Sequence, residues 1–269
     1  MTAGLTICGC GWLGKYLATR AHATMDVIGT TRSEENFPAL QALGVTPFLF
    51  SLGDNVEALV SAGTSSTVVL NIPPGRKEPV GAVFISQMTK LIDKFVSSGA
   101  KHIIFISTTS VYGEDDGMFK EDTPVSPQTA SAKAHVAIEQ HLSSNSDGRF
   151  TILRLAGLVG PDRHPVHSLA GRLLEKGEKA VNLVHVDDAV AAILALKKQG
   201  GRGQTLHLCS NQHPKRGDYY SFCAHTKGLA VPQFNAYQEI PVSGKIIDAS
   251  RSWQQLGLTL RYASPYDMI

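Results

Sequence analysis

Gly9-Cys-Gly11-Trp-Leu-Gly14 follows an apolar run, Leu5 to Cys8, and precedes a stretch, Trp12 to His22, that reads as a helix. Three glycines at that spacing, set between a strand and a helix, constrain the chain more than any other feature. The first permits a tight turn, the second leaves the backbone bare where a diphosphate would approach, and the third lets helix and strand pack closely. Behind them the helix N-terminus offers N–H groups to an anion. Glycines at this spacing alone are a weak signal. Here strand, loop, helix and a second strand, Asp26 to Thr31, fall in the required order.

The alternation continues. Val45 to Leu49, Thr67 to Leu70, His102 to Ile106 and Phe150 to Leu155 read as buried strands. Between them lie helical stretches at Phe37 to Leu43, Val56 to Ala62, Ala82 to Val96 and Ser131 to Leu142. In the third, Val83, Met88, Leu91, Ile92 and Phe95 recur at helical spacing. Strands alternating with helices predict an α/β chain with a Rossmann-type, doubly wound parallel sheet and right-handed crossovers. After residue 157 the regularity loosens: Gly157 to Pro165 is turn chemistry and Asn211 to Gly217 a polar loop. The expected division is a dinucleotide-binding domain over 1–157 and a small C-terminal substrate-side lobe over 158–269. Within that lobe 180–210, holding Asp187 to Lys198 and Gln204 to Leu208, returns to the main sheet.

Composition excludes several classes. With 269 residues, 43% hydrophobic and 18% charged, the chain has the make-up of an ordinary soluble globular protein. A net charge of +2 and the lack of any basic-aromatic stripe argue against nucleic acid, and Lys215-Arg216 is an isolated pair. No apolar run approaches the ~20 residues that span a bilayer. Met1 to Leu5 lacks the basic segment of a secretory signal. Cys8, Cys10, Cys209 and Cys223 show no CxxC pairing, so neither a zinc site nor a disulfide framework is expected. His135 and Glu139 resemble H-x-x-x-E but lack the second His of a ligand set. The expectation is no metal, no membrane and a reducing cytoplasm.

A glycine loop of this kind predicts a nicotinamide dinucleotide, and the end of the second strand chooses between NAD and NADP. An acid ~20 residues past the last glycine binds the ribose 2′-hydroxyl of NAD. Here Gly29-Thr-Thr-Arg32-Ser33 stands at that offset. A guanidinium suits a 2′-phosphate, with the Thr31 and Ser33 hydroxyls as added donors, although Glu34 and Glu35 follow. NADP is expected over NAD.

Phe105-Ile-Ser-Thr-Thr-Ser-Val-Tyr-Gly113 closely resembles the strand-five signature of extended short-chain dehydrogenases/reductases, the NAD-dependent epimerase/dehydratase family, and the closest likeness is to an atypical branch of it. Leu153-Arg-Leu-Ala-Gly-Leu-Val-Gly-Pro161, Leu183-Val-His-Val-Asp-Asp188 and Lys245-Ile-Ile-Asp-Ala-Ser-Arg251 resemble three further elements of that family. The resemblance covers nearly the whole chain. It implies cofactor contacts from Gly9, Cys10, Gly11, Trp12, Leu13 and Gly14. It adds Leu52, Ile72 and Pro73, and then Ala156, Gly157 and Leu158 beside the nicotinamide. It implies catalytic roles for Thr108, which would polarise a carbonyl, and Lys133, which would hold the cofactor ribose, and a substrate contact at Ser110. A small polar or sugar-nucleotide-like substrate follows, as does a homodimer paired through helices that include Ala82 to Val96 and Ser131 to Leu142.

Three positions depart from the family pattern. Its catalytic Tyr lies four residues before the Lys, and that position is Thr129. An aliphatic hydroxyl titrates far above a phenol at about 10, so Thr129 cannot carry the proton near neutral pH. Asn71-Ile-Pro-Pro-Gly75 replaces a small-residue run, and Ser51-Leu52 lacks the acid that meets adenine. Candidate substitutes for the phenol are Tyr112, as a proton donor weighed against a favoured structural role, and Arg163-His164 in the loop after strand six, the latter read chiefly as an anion contact. His185 is a third candidate, with substrate contact weighed against a hydrogen-bonded core role, and Asp187 or Asp188 is expected to cap the next helix. Two functions stay open: an enzyme, or a non-catalytic NADP-sensing regulator.

Overall fold

A computed structural model of the chain describes residues 4–63, 67–75, 81–235 and 241–269. The elements open with β1 (Leu5–Cys8), α1 (Trp12–Ala21), β2 (Val27–Thr31), α2 (Phe37–Gln41), β3 (Thr46–Leu49), α3 (Glu57–Gly63) and β4 (Thr67–Leu70). Next come α4 (Ala82–Ser97), β5 (His102–Thr108), β6 (Gly117–Phe119), α5 (Ala130–Asn145), β7 (Phe150–Leu155), β8 (Gly157–Val159), α6 (Val166–Leu169) and β9 (Leu173–Leu174). The chain ends with β10 (Leu183–His185), α7 (Val186–Gln199), β11 (Gln204–Leu208), α8 (Arg216–Thr226), β12 (Gln233–Phe234), β13 (Lys245–Ile247) and α9 (Ser250–Leu256).

The chain divides into two compact units. The first holds Met1–Val111, Val125–Arg154 and Val190–Leu206; the second holds Tyr112–Pro124, Leu155–Ala189 and His207–Ile269. A seven-stranded sheet runs β11-β7-β5-β4-β1-β2-β3. β1 pairs in parallel with both β2 and β4, Ile7 lying opposite Gly29 on one side and Val69 on the other. Strand order therefore reverses at β1, and the C-terminal ends of β1 and β4 flank the switch point where α/β sheets of this type bind ligands. The expected Rossmann-type α/β fold is borne out.

Burial on both faces explains the near-continuous apolar strands: every residue of β1, β4 and β7 is buried. α4 turns Met88, Leu91, Ile92 and Phe95 into the core of the first unit, beside Leu70 and Phe105. Val83, counted in the same stripe, is 71% exposed, because it falls off the i−4 row that runs from Met88 back to Phe84, which packs against the core instead. One polar network sits inside this core. Glu139 on α5 accepts from Nε and Nη2 of Arg154 on β7, Nε reaching both carboxylate oxygens, and from the Ser107 hydroxyl on β5. Arg154 is 8% exposed and Glu139 4%.

The second unit is built from short pieces. β8 pairs with β10, β6 with β13 and β9 with β12, all in parallel. Its core gathers Val159, Val166, Leu183, Tyr219, Tyr220, Cys223 and Met268. Helices α8 and α9 were not expected. Tyr219, Tyr220, Cys223 and Ala224 form an apolar stripe at helical spacing, but polar neighbours and the preceding turn chemistry mask it. Among the described residues no helix is long and apolar enough to cross a membrane.

Removing Glu139 takes its carboxylate partner from the buried Arg154 guanidinium, a change that costs about 3–5 kcal/mol. Glu139→Ala is therefore expected to lower the unfolding free energy by that amount, read as a lower urea midpoint at unchanged slope. A loss below about 1 kcal/mol would mean the pair contributes nothing to the core.

Candidate functional site

Gly9 leaves β1 with φ +87°, where an added Cβ would lie 2.6 Å from the Asn71 carbonyl oxygen. Its N–H donates to Thr30 Oγ1 at 2.7 Å and the Cys10 N–H to the Thr30 carbonyl at 2.9 Å. The Gly9 carbonyl accepts from Asn71 Nδ2 at 2.9 Å and from the Gly11 N–H at 2.8 Å. Gly14 packs against the strand, its notional Cβ only 3.2 Å from Gly9 O and Ile7 Cγ2. Gly11 is different: a Cβ there meets nothing within 4 Å, and the residue is exposed. Each glycine thus meets the constraint expected of it, tight turn, bare approach and close packing.

Gly11 is also the N-cap of α1, and no side chain caps it. The first turn of a helix carries main-chain N–H groups and the partial positive charge that suit a phosphate group, and no side chain covers this one at its cap. Cys10 and Leu13 turn their side chains into the core, so either can face a ligand only through its backbone. Burial raises the Cys10 thiol to about 11. The Trp12 indole lies along its helix, 5.1 Å from the Tyr16 ring. These donors and this open face fit the diphosphate of a dinucleotide.

At the end of β2, Arg32 is exposed and makes no hydrogen bond or ion pair among the described residues. Thr31 does not match its expected role. Its hydroxyl donates to the Ser33 carbonyl at 3.3 Å and accepts from Asn36 Nδ2 at 3.1 Å, so its proton is already used. Ser33 Oγ accepts from the Glu35 N–H as cap of a 3-10 turn and keeps its own proton. Leu52 and Ile72 pack partly into the core of the first unit, while Pro73 is exposed.

Thr108 and Ser110 stand at the C-terminal end of β5, Thr108 Oγ1 donating to Ser110 Oγ at 3.1 Å. Lys133 is exposed in the first turn of α5 and unpaired among the described residues. Thr129, at the family's tyrosine position, is the N-cap of α5 and accepts the Ala132 N–H at 3.1 Å. Sequence reasoning missed that, although Thr just before a helix is a cap signal; the family comparison drew attention to the absent phenol instead. Tyr112 needs a correction. It is 0% exposed in the second unit, its hydroxyl donating to the Lys120 carbonyl and 2.6 Å from His207 Nε2, so it is a packing residue and not a proton donor.

In the second unit Leu183 pairs with Gly157, and Leu158 and Leu183 help line a recess of about 620 Å³. Asp162, Arg163, His167 and Ser168 supply its polar wall. Backbone bonds in both directions between Gly160 and Arg163 tie the loop. Ala156 N–H bonds the Leu208 carbonyl. His164 also needs a correction: it borders the recess but is 8% exposed and is not held there as a cation. Its Nε2 lies 2.8 Å from the Tyr219 hydroxyl, which donates to the Pro265 carbonyl, while Nδ1 accepts the Val166 N–H. That pattern holds the neutral ring, and burial pushes its pKa down to about 4.

His185 is a core residue rather than a substrate contact. Its ring stacks 3.7 Å from Tyr262, Nδ1 accepts the Asp187 N–H, and burial lowers its pKa. The Asp188 carboxylate reaches across the chain to accept the Arg261 and Tyr262 N–H groups, anchoring the C-terminal segment.

Two stability effects follow. Thr129→Ala is expected to cost about 1 kcal/mol through loss of the cap, read by thermal unfolding; an unchanged midpoint would show the cap to be idle. His164 protonates near 6.5 in the unfolded chain but only near 4 in the folded one, so unfolding takes up a proton between those values. Stability is complete above about pH 6.5 and falls as pH drops toward 4, by up to about 1.4 kcal/mol per pH unit. Denaturant titrations should show a shallower fall in His164→Gln; parallel curves for the two proteins would refute this origin.

A profile of the NAD dependent epimerase/dehydratase family matches residues 6–209. Protein YeeZ of Escherichia coli K12 is 34% identical over 272 residues, covering 98% of each chain. UDP-glucuronic acid 4-epimerase from Bacillus cereus in complex with NAD superposes with a TM-score of 0.82 at 17% identity, over 98% of this chain and 95% of that one. The Bordetella bronchiseptica enzyme WbmH in complex with NAD+ does so at 0.80 and 18%, over 99% and 95%. At those identities the two structures speak to the fold alone. The profile and the full-length relative say more: the chain belongs to the NAD dependent epimerase/dehydratase family.

Proposed function

We propose that the chain binds a nicotinamide dinucleotide, NADP in preference to NAD, and acts on a small polar or sugar-nucleotide-like substrate that carries an anionic group. The observation that carries the first part is the uncapped start of α1 behind Gly11, where a Cβ would meet nothing within 4 Å. Main-chain N–H groups of that turn would hold the diphosphate. Arg32, exposed and unpaired among the described residues, would hold a 2′-phosphate, with Ser33 as a further donor. Lys133 would orient the ribose and Thr108 a substrate carbonyl. Arg163, in the wall of the recess within the second unit, would be a contact for an anion there. A bound nicotinamide supplies hydride transfer. Relatives of this fold were crystallised with NAD, and one is named for epimerising UDP-glucuronic acid, which supports a substrate of that class.

A second reading has its own support. Thr129 caps a helix and Tyr112 is buried, so neither supplies the proton carrier that the family reaction needs. A protein that binds NADP without turning it over, and signals its level, fits that deficit.

Thermal-shift titration separates these from no binding at all. NADP at one hundred times its Kd is expected to stabilise the protein by about 2.7 kcal/mol. Arg32→Ala should weaken NADP by about 10- to 100-fold while changing NAD little, since one charge-assisted contact is lost. Equal loss for both nucleotides would refute the NADP preference, and no shift with either would refute the binding. Hydride turnover over nucleotide sugars and small ketones then divides enzyme from sensor.

A further inference from the structure

We infer that Thr30 and Asn71 are positioning residues that lock the glycine loop in its ligand-ready form before any nucleotide arrives. The inference rests on the nucleotide-binding reading above. Four polar groups of the turn are already engaged. The Gly9 and Cys10 N–H groups go to Thr30, through its hydroxyl at 2.7 Å and its carbonyl at 2.9 Å. The Gly9 carbonyl is held by Asn71 Nδ2 and by the Gly11 N–H. Asn71 itself is fixed from below, its N–H donating to the Cys8 carbonyl at 2.8 Å.

The two residues come from different strands, Thr30 within β2 and Asn71 just beyond β4, and they grip Gly9 from both sides of β1. At φ +87° Gly9 sits in a region where glycine moves freely, so the chain alone does not select this conformation. The side-chain bonds do. Asn71 draws the Gly9 carbonyl toward β4, and Thr30 takes the Gly9 N–H toward β2. The donors left for an anion are then those of the helix start. A loop ordered in advance loses less entropy on binding, and the gain appears as affinity.

Because the lock acts on the loop that faces the diphosphate, a part common to both nucleotides, its loss should weaken NADP and NAD alike. Arg32 acts on one of them only. Kd is measured by titration for wild type, Asn71→Ala, Thr30→Val and Thr30→Ser, with melting temperature and circular dichroism on each. Asn71→Ala and Thr30→Val are expected to raise Kd about tenfold for both nucleotides with their ratio unchanged, and Thr30→Ser, which keeps the oxygen, to stay within about twofold of wild type. Wild-type affinity in both variants, or a loss confined to one nucleotide, overturns the lock but leaves the binding reading intact. Failure of the wild type to bind either nucleotide overturns both. Should the variants not fold, amide hydrogen exchange on the nucleotide-free wild type decides. Slow exchange at Gly9 N–H supports the lock, and exchange at the rate of an open loop overturns it.

Discussion

The crossing of Gly9 against Asn71 is the constraint on which the rest of the first unit depends. β1 and β4 are adjacent parallel strands, and the backbone leaving β1 comes so close to Asn71 O that any side chain at position 9 would collide. That contact puts the loop at the switch point of the sheet. From there Gly14 can press α1 onto the strand while Gly11 stays bare. The open, side-chain-free start of the helix is a consequence of strand order and of three missing side chains.

Around that point the sheet gathers the other candidates by one rule. In a parallel sheet the C-terminal ends of the strands face the same way, so Gly9, Arg32, Asn71 and Thr108, which follow or end β1, β2, β4 and β5, share one edge. The Glu139–Arg154–Ser107 network ties α5 to β5 and β7 from the inside. It fixes the helix that carries Lys133 to the strand that carries Thr108. Specific buried polar contacts, in place of apolar ones, make that registration directional.

Much of this was legible in the sequence. Apolar runs bounded by turn residues gave the strands of the first unit to within a residue or two, because burial on both faces leaves an uninterrupted signal. The glycine loop was legible because its spacing and position between strand and helix alone specify it. What was hidden depended on partners distant in sequence. Tyr112 can be read from sequence as structural or as a proton donor, and the partners that favour packing, His207 and Lys120, are seen only in the fold. His164 reads as an exposed cation until Tyr219 takes its Nε2. Asp188 reads as a helix cap, yet its partners, Arg261 and Tyr262, lie near the end of the chain. Thr129 was open to local reading, since a threonine before a helix announces its own role.

A crystal structure of the protein grown with NADP tests the central claim most directly. The account predicts the diphosphate against the first turn of α1, above Gly11, with the 2′-phosphate within hydrogen-bond reach of Arg32. Density for the nucleotide anywhere else, or a diphosphate held by side chains with the N–H groups of α1 turned away from it, would contradict it.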